Sequence, residues 1–335
     1  MRAMMMYELG GPLKLEDVPV PEIGPGEALA KVNVCGVGYT VSKTRKTRGI
    51  VPRIPGHEVA GEIVKIGENV THIDVGDAVT VYYYLTCGTC RYCLSERETL
   101  CLNFRGNVGV EINGGYAEFI KLPAENFIRL PKEIPPLEAS VIADAVATPW
   151  KVMNRRAQVK PMDDVLVIGA GGGVGIHAVA MAKLFGARVI AADLSDEKLE
   201  AARKAGADEV IHTQRNEIDK EIMRLTDNKG VEAAVDFVCI TETMRAGINS
   251  LARSGKLVLM TAGNLEINTR PVGSRELEII GSRYVTKHEL KESIELVRRG
   301  LIRPIVTRTF SLEEAELAHE MVDAHKILGR AAIII

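Results

Sequence analysis

One segment constrains the fold of this chain more than any other: VLVIGAGGGVGIHAVAMAKLFGARVIAAD, from Val165 to Asp193. An apolar run meets a glycine-rich turn, an Ala-rich stretch of helical length follows, and a second apolar run ends on an acid. Near-continuous apolar strands joined this way form the βαβ unit of a buried parallel sheet. Glycines at such a turn let the backbone approach a pyrophosphate, whose charge sits against unpaired N–H groups at the helix start. The spacing is GxxGxxG, with Gly169, Gly172 and Gly175 as anchors and Gly171, Gly173 and Val174 between them. Asp193 stands eighteen residues beyond Gly175, close to the spacing of an acid that binds an adenosine ribose diol. An acid there repels a 2′-phosphate, so NAD is expected over NADP. Lys198 completes the candidate cofactor-binding set.

The same alternation continues on both sides. Apolar runs at Val165–Ile168, Arg188–Ala192, Ala233–Val238 and Lys256–Met260 alternate with helical stretches rich in Ala, Lys and Glu. The first 147 residues read differently, as short β-branched or alternating runs at Ala28–Val34, Val59–Ile66, Ala78–Tyr83 and Tyr116–Lys121 broken by Gly and Pro, the pattern of antiparallel sheet. After Gly281 the pattern predicts helices over Lys287–Arg299 and Phe310–His325 and a last strand at Ala331–Ile335, returning to the first domain. The expected fold is α/β in two domains. A partly antiparallel domain takes residues 1–148 and 284–335, and an inserted Rossmann domain with a doubly wound parallel sheet takes 149–283.

Four of the six cysteines, Cys87, Cys90, Cys93 and Cys101, fall within fifteen positions at CxxCxxC spacing plus one. Thiolates so spaced turn inward from a tight loop onto one tetrahedral Zn²⁺, and four cysteines leave no open position. The metal is therefore expected to be structural, fixing an irregular lobe over residues 86–102. A formal net charge of −2 and 26% charged residues give no bulk attraction for nucleic acid or membrane. That argues against a zinc-ribbon nucleic-acid binder and points to a small-molecule partner. With no secretory leader pattern and thiols reserved for metal, the expected location is cytoplasmic.

A four-cysteine lobe followed by a dinucleotide segment resembles the medium-chain dehydrogenase/reductase family, specifically its zinc-type alcohol dehydrogenases. The likeness covers essentially the whole chain. GHEVAGEIVKIGENV from Gly56, VGDAV from Val75, NGGYAEF from Asn113 and GRAAIII from Gly329 are similar to the family's corresponding segments. The resemblance implies a GroES-like first domain, an alcohol or carbonyl substrate held between the domains, hydride exchange with the nicotinamide, and a homodimer or homotetramer. It implies that Arg330 approaches the cofactor pyrophosphate. It also implies a catalytic zinc, with His57 as imidazole ligand, Glu58 as adjacent or alternate carboxylate, and Asp144 as third ligand.

The family's remaining ligand is a cysteine, and this chain has Gly38 there, followed by Tyr39, Thr40 and Val41. Cys35 lies three residues earlier, on the predicted strand. Thr40 keeps the hydroxyl that passes a proton from substrate alcohol. Three outcomes stay open at this centre. His57, Glu58 and Asp144 hold a weaker zinc; or the centre lacks a metal and Tyr39 or Thr40 donates to a substrate carbonyl, as in a quinone reductase or an enoyl reductase, CoA esters among its substrates; or catalysis is lost. The basic stretch Ser42–Gly49 reads as a solvated loop, with attraction of an anionic substrate as its alternative. His72, His177, His212, His288, His319 and His325 have no motif around them and read as ordinary core or surface histidines.

Overall fold

The computed structural model describes residues 1–261 and 263–335. The chain divides into two compact units, Met1–Ala147 with Val285–Ile335, and Thr148–Tyr284.

In the first unit, the described residues form a seven-stranded sheet around the long strand Glu27–Val37. Its neighbours are Glu58–Ile66 on one side and the C-terminal strand Arg330–Ile334 on the other, both antiparallel to it. The sheet continues through Ala78–Val81 and Phe127–Arg129 at one end and Val306–Ser311 at the other, and Phe119–Pro123 also pairs with the long strand. Along that strand Lys31 and Asn33 face out while Ala30, Val32 and Val34 are buried, the alternation of a sheet covered on one face. From Cys35 to Val37 every residue is buried, so this end is covered on both faces. Here the register sets Gly36 opposite both Glu58 and Ala332, and Val37 opposite Ala331.

The described residues of the second unit form a six-stranded parallel sheet with its connecting helices. Its order is Glu209–His212, Arg188–Asp193, Asp164–Ile168, Val231–Asp236, Leu251–Leu259, Glu278–Gly281. This is the 3-2-1-4-5-6 order of a doubly wound fold, whose strand order reverses between Asp164–Ile168 and Val231–Asp236. Leu166, Ile168, Ile190, Ala192, Ile211, Ala234 and Leu257 belong to one buried core, which is why these strands read as continuous apolar runs.

Two expectations are corrected. Phe310–His325 is not one helix: Val306–Ser311 is a strand paired in parallel with Arg330–Ile334, and the helix runs only over Ala315–Asp323. Buried Phe310 and Leu312 precede Ala315 and Ala318 at spacings that extend a helical pattern backwards, while Val306 to Ser311 reads VTRTFS, a β-branched run. Nor is Ser42–Gly49 a solvated loop, because Tyr39–Thr47 is a helix. Arg45 bonds Glu316 at 2.7 Å, Lys46 bonds Asp323 at 2.5 Å and Arg48 bonds Glu111 at 3.0 Å. The basic run is thus largely neutralised by acids distant in sequence.

Candidate active site

The sheet's register builds a buried ionic cluster in the first unit. Gly36 and Gly38 are two apart, so their missing side chains open on the same face of the strand. A Cβ on Gly36 would lie 2.8 Å from Cβ and Oε2 of Glu58, and one on Gly38 would lie 2.7 Å from Nη2 of Arg330 and 2.8 Å from Oε1 of Glu58. The two glycines therefore make the slot in which the carboxylate and guanidinium lie. Arg330 donates from Nε to Glu58 Oε2 at 3.0 Å and from Nη2 to Glu58 Oε1 at 2.6 Å, a two-pronged fork. Nη2 also donates to Asp144 Oδ2 at 2.6 Å. Asp144 reaches the cluster from Ile142–Val146, a widened turn with π-type spacing. His57 Nε2 stands 3.9 Å from Asp144 Oδ2, and its ring packs on Tyr83 with centroids 4.3 Å apart.

Burial pushes the Glu58 carboxyl above its ordinary pKa, and the Arg330 charge opposes that shift. For Arg330, burial works to lower the pKa, but Glu58 and Asp144 outweigh it and hold the guanidinium firmly protonated. Two nitrogens of Arg330, expected by resemblance at the cofactor pyrophosphate, are thus spent on carboxylates of its own unit.

His57, Glu58 and Asp144 bring ligand atoms within 4.8 Å of one another, close enough for a shared metal on distance alone. The donor set nevertheless does not fit a divalent ion. Position 38 has no ligand atom, and the space a side chain there would enter is taken by Arg330 and Glu58. Both carboxylates already bond a guanidinium. With Arg330 at +1 and two carboxylates at −1 the cluster carries a net −1, so a dication would leave a buried +1 beside an existing cation. Cys35 does not supply the missing ligand: it is fully buried in the strand, its sulfur 3.0 Å from the Cβ position of Gly56, and burial pushes its thiol pKa up.

The four-cysteine lobe does fit a metal. A tetrahedral zinc with bonds of about 2.3 Å needs sulfurs roughly 3.8 Å apart. Cys87 and Cys93 are 3.9 Å apart, Cys90 and Cys93 3.5 Å, and Cys101 and Cys87 3.5 Å, far beyond disulfide length. Hydrogen bonds led by the backbone N–H groups of Thr89 and Cys90 lower the Cys87 pKa to about 5, which suits a metal-binding thiolate.

In the second unit, Asp164–Ile168 leads through the glycine loop into the helix Gly175–Leu184. A Cβ on Gly175 would fall 2.0 Å from the carbonyl oxygen of Gly169, so only glycine lets helix and strand approach this closely. Gly172 N–H donates to Gly169 O at 3.2 Å. Gly173 O accepts from His177 Nδ1 at 2.8 Å, giving this fully buried histidine a part in the loop that its sequence context did not signal. Val174 stands at the helix cap. Asp193 ends its strand beside the loop, accepting from Gly171 N–H at 2.8 Å and Leu194 N–H at 2.7 Å, with Lys198 Nζ 3.6 Å away.

Tyr39 and Thr40 occupy the first turn of the helix Tyr39–Thr47, Tyr39 exposed and Thr40 half-buried. Sequence reasoning missed what anchors this helix. Arg53, fully buried, donates to the carbonyls of Thr44, Arg48, Ile50 and Val110, closing the helix's C-terminal end. Ser42 Oγ lies 2.7 Å from His319 Nδ1, and Tyr116 OH lies 2.9 Å from His319 Nε2. These pairs span more than 200 residues, and no local pattern could have announced them.

The family profile of the alcohol dehydrogenase GroES-like domain matches residues 24–132, and that of the zinc-binding dehydrogenase matches residues 173–299. An NAD-dependent alcohol dehydrogenase of Sulfurisphaera tokodaii is 32% identical over 348 residues, covering 100% of both chains. Among solved structures, the alcohol dehydrogenase of Aeropyrum pernix superposes with a TM-score of 0.93 at 31% identity, covering 100% of both chains. The crystal structure of AibC gives a TM-score of 0.92 at 34% identity, over 100% of this chain and 95% of that one.

Proposed function

Because this chain belongs to the zinc-type alcohol dehydrogenases of the medium-chain dehydrogenase/reductase family, we propose that it interconverts an alcohol and its carbonyl compound by hydride exchange with NAD. The enoyl or quinone reductase alternative is not favoured, since the full-length relatives are named alcohol dehydrogenases. The observation that carries the cofactor reading is Asp193, held by Gly171 N–H at the end of its strand beside the glycine loop. A carboxylate so placed accepts from a ribose diol and repels a 2′-phosphate.

In the oxidative direction, the substrate carbon gives a hydride to the nicotinamide, the hydroxyl loses its proton, and a carbonyl, NADH and a proton result. The glycine loop of Gly169, Gly171, Gly172, Gly173, Val174 and Gly175 would hold the pyrophosphate by letting the backbone come close, with Lys198 flanking Asp193. The Thr40 hydroxyl takes the substrate proton and passes it to water, and Tyr39 offers a second hydroxyl. His57, packed on the Tyr83 ring with Asp144 3.9 Å away, presents its imidazole to the substrate oxygen. Cys87, Cys90, Cys93 and Cys101 would hold a zinc that crosslinks an irregular segment and takes no part in the reaction.

No helix among the described residues is long and apolar enough to cross a membrane. Thiols kept for zinc support a cytoplasmic location, and likeness to the family supports a homodimer or homotetramer. A panel of alcohols, aldehydes and conjugated thioesters scored by NADH absorbance tests the reading. Turnover of alcohols with NAD is expected. Turnover confined to the thioesters, or no affinity for either nicotinamide coenzyme, overturns it.

A further inference from the structure

From the cluster's geometry we infer that the centre where the family's catalytic metal would sit is metal-free in this protein, and that the Arg330 guanidinium supplies the positive charge there. Three observations converge. Gly38 contributes no ligand, and a Cβ there would already stand 2.7 Å from Arg330 Nη2. Both hydrogens of that nitrogen are committed, one to Glu58 and one to Asp144, so the guanidinium already engages both carboxylates of the donor set. Glu58 is fully buried and is gripped by both prongs of the fork, which leaves it poorly placed to turn toward a different cation.

The substitutions form a consistent set. Loss of a side chain at position 38 removes one ligand and opens the room into which the guanidinium packs, and the carboxylates keep that cation paired. Arg330 adjoins Gly38 through strand register, since Ala331 is opposite Val37. Polarisation of a substrate oxygen then falls to the hydrogen-bonding groups of His57, Thr40 and Tyr39 rather than to a Lewis acid. Arg330 acts as a positioning residue, holding Asp144 with its carboxylate 3.9 Å from His57 Nε2.

Metal content decides the matter without reference to turnover. Zinc per chain, measured by mass spectrometry on protein grown with excess zinc and then dialysed, is expected to be one. That zinc is lost in Cys93→Ser and retained in Asp144→Asn. Two zincs per chain in the wild type, falling to one in Asp144→Asn, would overturn the inference. A double variant, Gly38→Cys with Arg330→Gly, supplies a thiolate and removes the guanidinium, and should raise the count to two. A count of one in that folded variant would show that Arg330 is not what excludes the metal. Binding of NADH to the wild type, followed by fluorescence, reports on the cofactor reading separately from any of these counts.

Discussion

Gly38 and Arg330 compete for one volume: a Cβ on the glycine would lie 2.7 Å from Nη2 of the arginine. Glu58 Oε1 is only 2.8 Å from the same point, so the neighbours a new side chain would displace are two halves of an ion pair. Neither is a flexible chain end free to swing into solvent, because Arg330 and Glu58 are both buried.

Gly38→Ala is therefore expected to destabilise the protein by about 1–3 kcal/mol, the range for overpacking a filled interior. The backbone at this position is extended, with φ −124°, so the cost is contact and not conformational strain. Urea unfolding of the two proteins checks it. An unchanged midpoint would mean that the ion pair can step aside.

Arg330→Met should be more damaging, because it leaves Glu58 and Asp144 facing each other without a cation. Removing one partner of a buried ionic group costs roughly 3–5 kcal/mol. The loss has a definite pH dependence. Burial already raises the Glu58 pKa, and without the arginine nothing of equal strength opposes that shift. A carboxyl whose folded pKa lies above its unfolded value is stabilising below the unfolded pKa and loses that contribution as pH rises through the folded one. The deficit of Arg330→Met should therefore shrink toward acid pH, and adding Glu58→Gln should recover part of it near neutrality. Additive effects of the two substitutions in a double-mutant cycle would contradict the pairing.

Asp193→Asn keeps the shape of the strand end but gives up the charge that faces Lys198 and accepts from Gly171 N–H. Affinity for NADH should fall roughly tenfold, the loss of about one charge-assisted hydrogen bond. NADPH, no longer repelled, should lose less or gain. Fluorescence titration with both coenzymes gives the ratio, and an unchanged ratio would remove Asp193 from cofactor selection.

The parallel-sheet half was legible because its signals are local. Val165 to Asp193 carries strand, turn, helix and strand in consecutive residues, and the apolar runs report strands covered on both faces. The cysteine lobe was legible for the same reason, its four sulfurs lying within fifteen residues. The ionic cluster was not. Arg330 meets Glu58 and Asp144 across 272 and 186 residues, and only the pairing of the C-terminal strand with Glu27–Val37 makes them neighbours. Gly38 read as a missing ligand, while its structural meaning, room for a guanidinium, depends on a strand that arrives last. The basic run after Thr40 misled because its acidic partners, Glu316, Asp323 and Glu111, are equally remote.

His319 shows the same long-range logic and gives a pH-dependent test away from the ionic cluster. It is buried between Ser42 on the helix that carries Thr40 and Tyr116 beyond the cysteine lobe. Burial, with the charges of Arg45 and Lys46 nearby, holds its pKa well below the ordinary histidine value, so the folded protein keeps the ring neutral. Two hydroxyl partners suit a neutral imidazole, since each can serve as donor or acceptor. The unfolded chain takes up a proton near pH ~6.5 and the folded one does not, so stability falls as pH drops below that value. The slope from this one group approaches about 1.4 kcal/mol per pH unit until the folded pKa is reached. His319→Gln can retain one hydroxyl contact but cannot titrate. Its unfolding free energy, compared with wild type at about pH 7.5 and about pH 5.5, should lack that part of the acid-induced loss. Equal losses in both proteins would mean that His319 is protonated in the folded state as readily as in the unfolded chain.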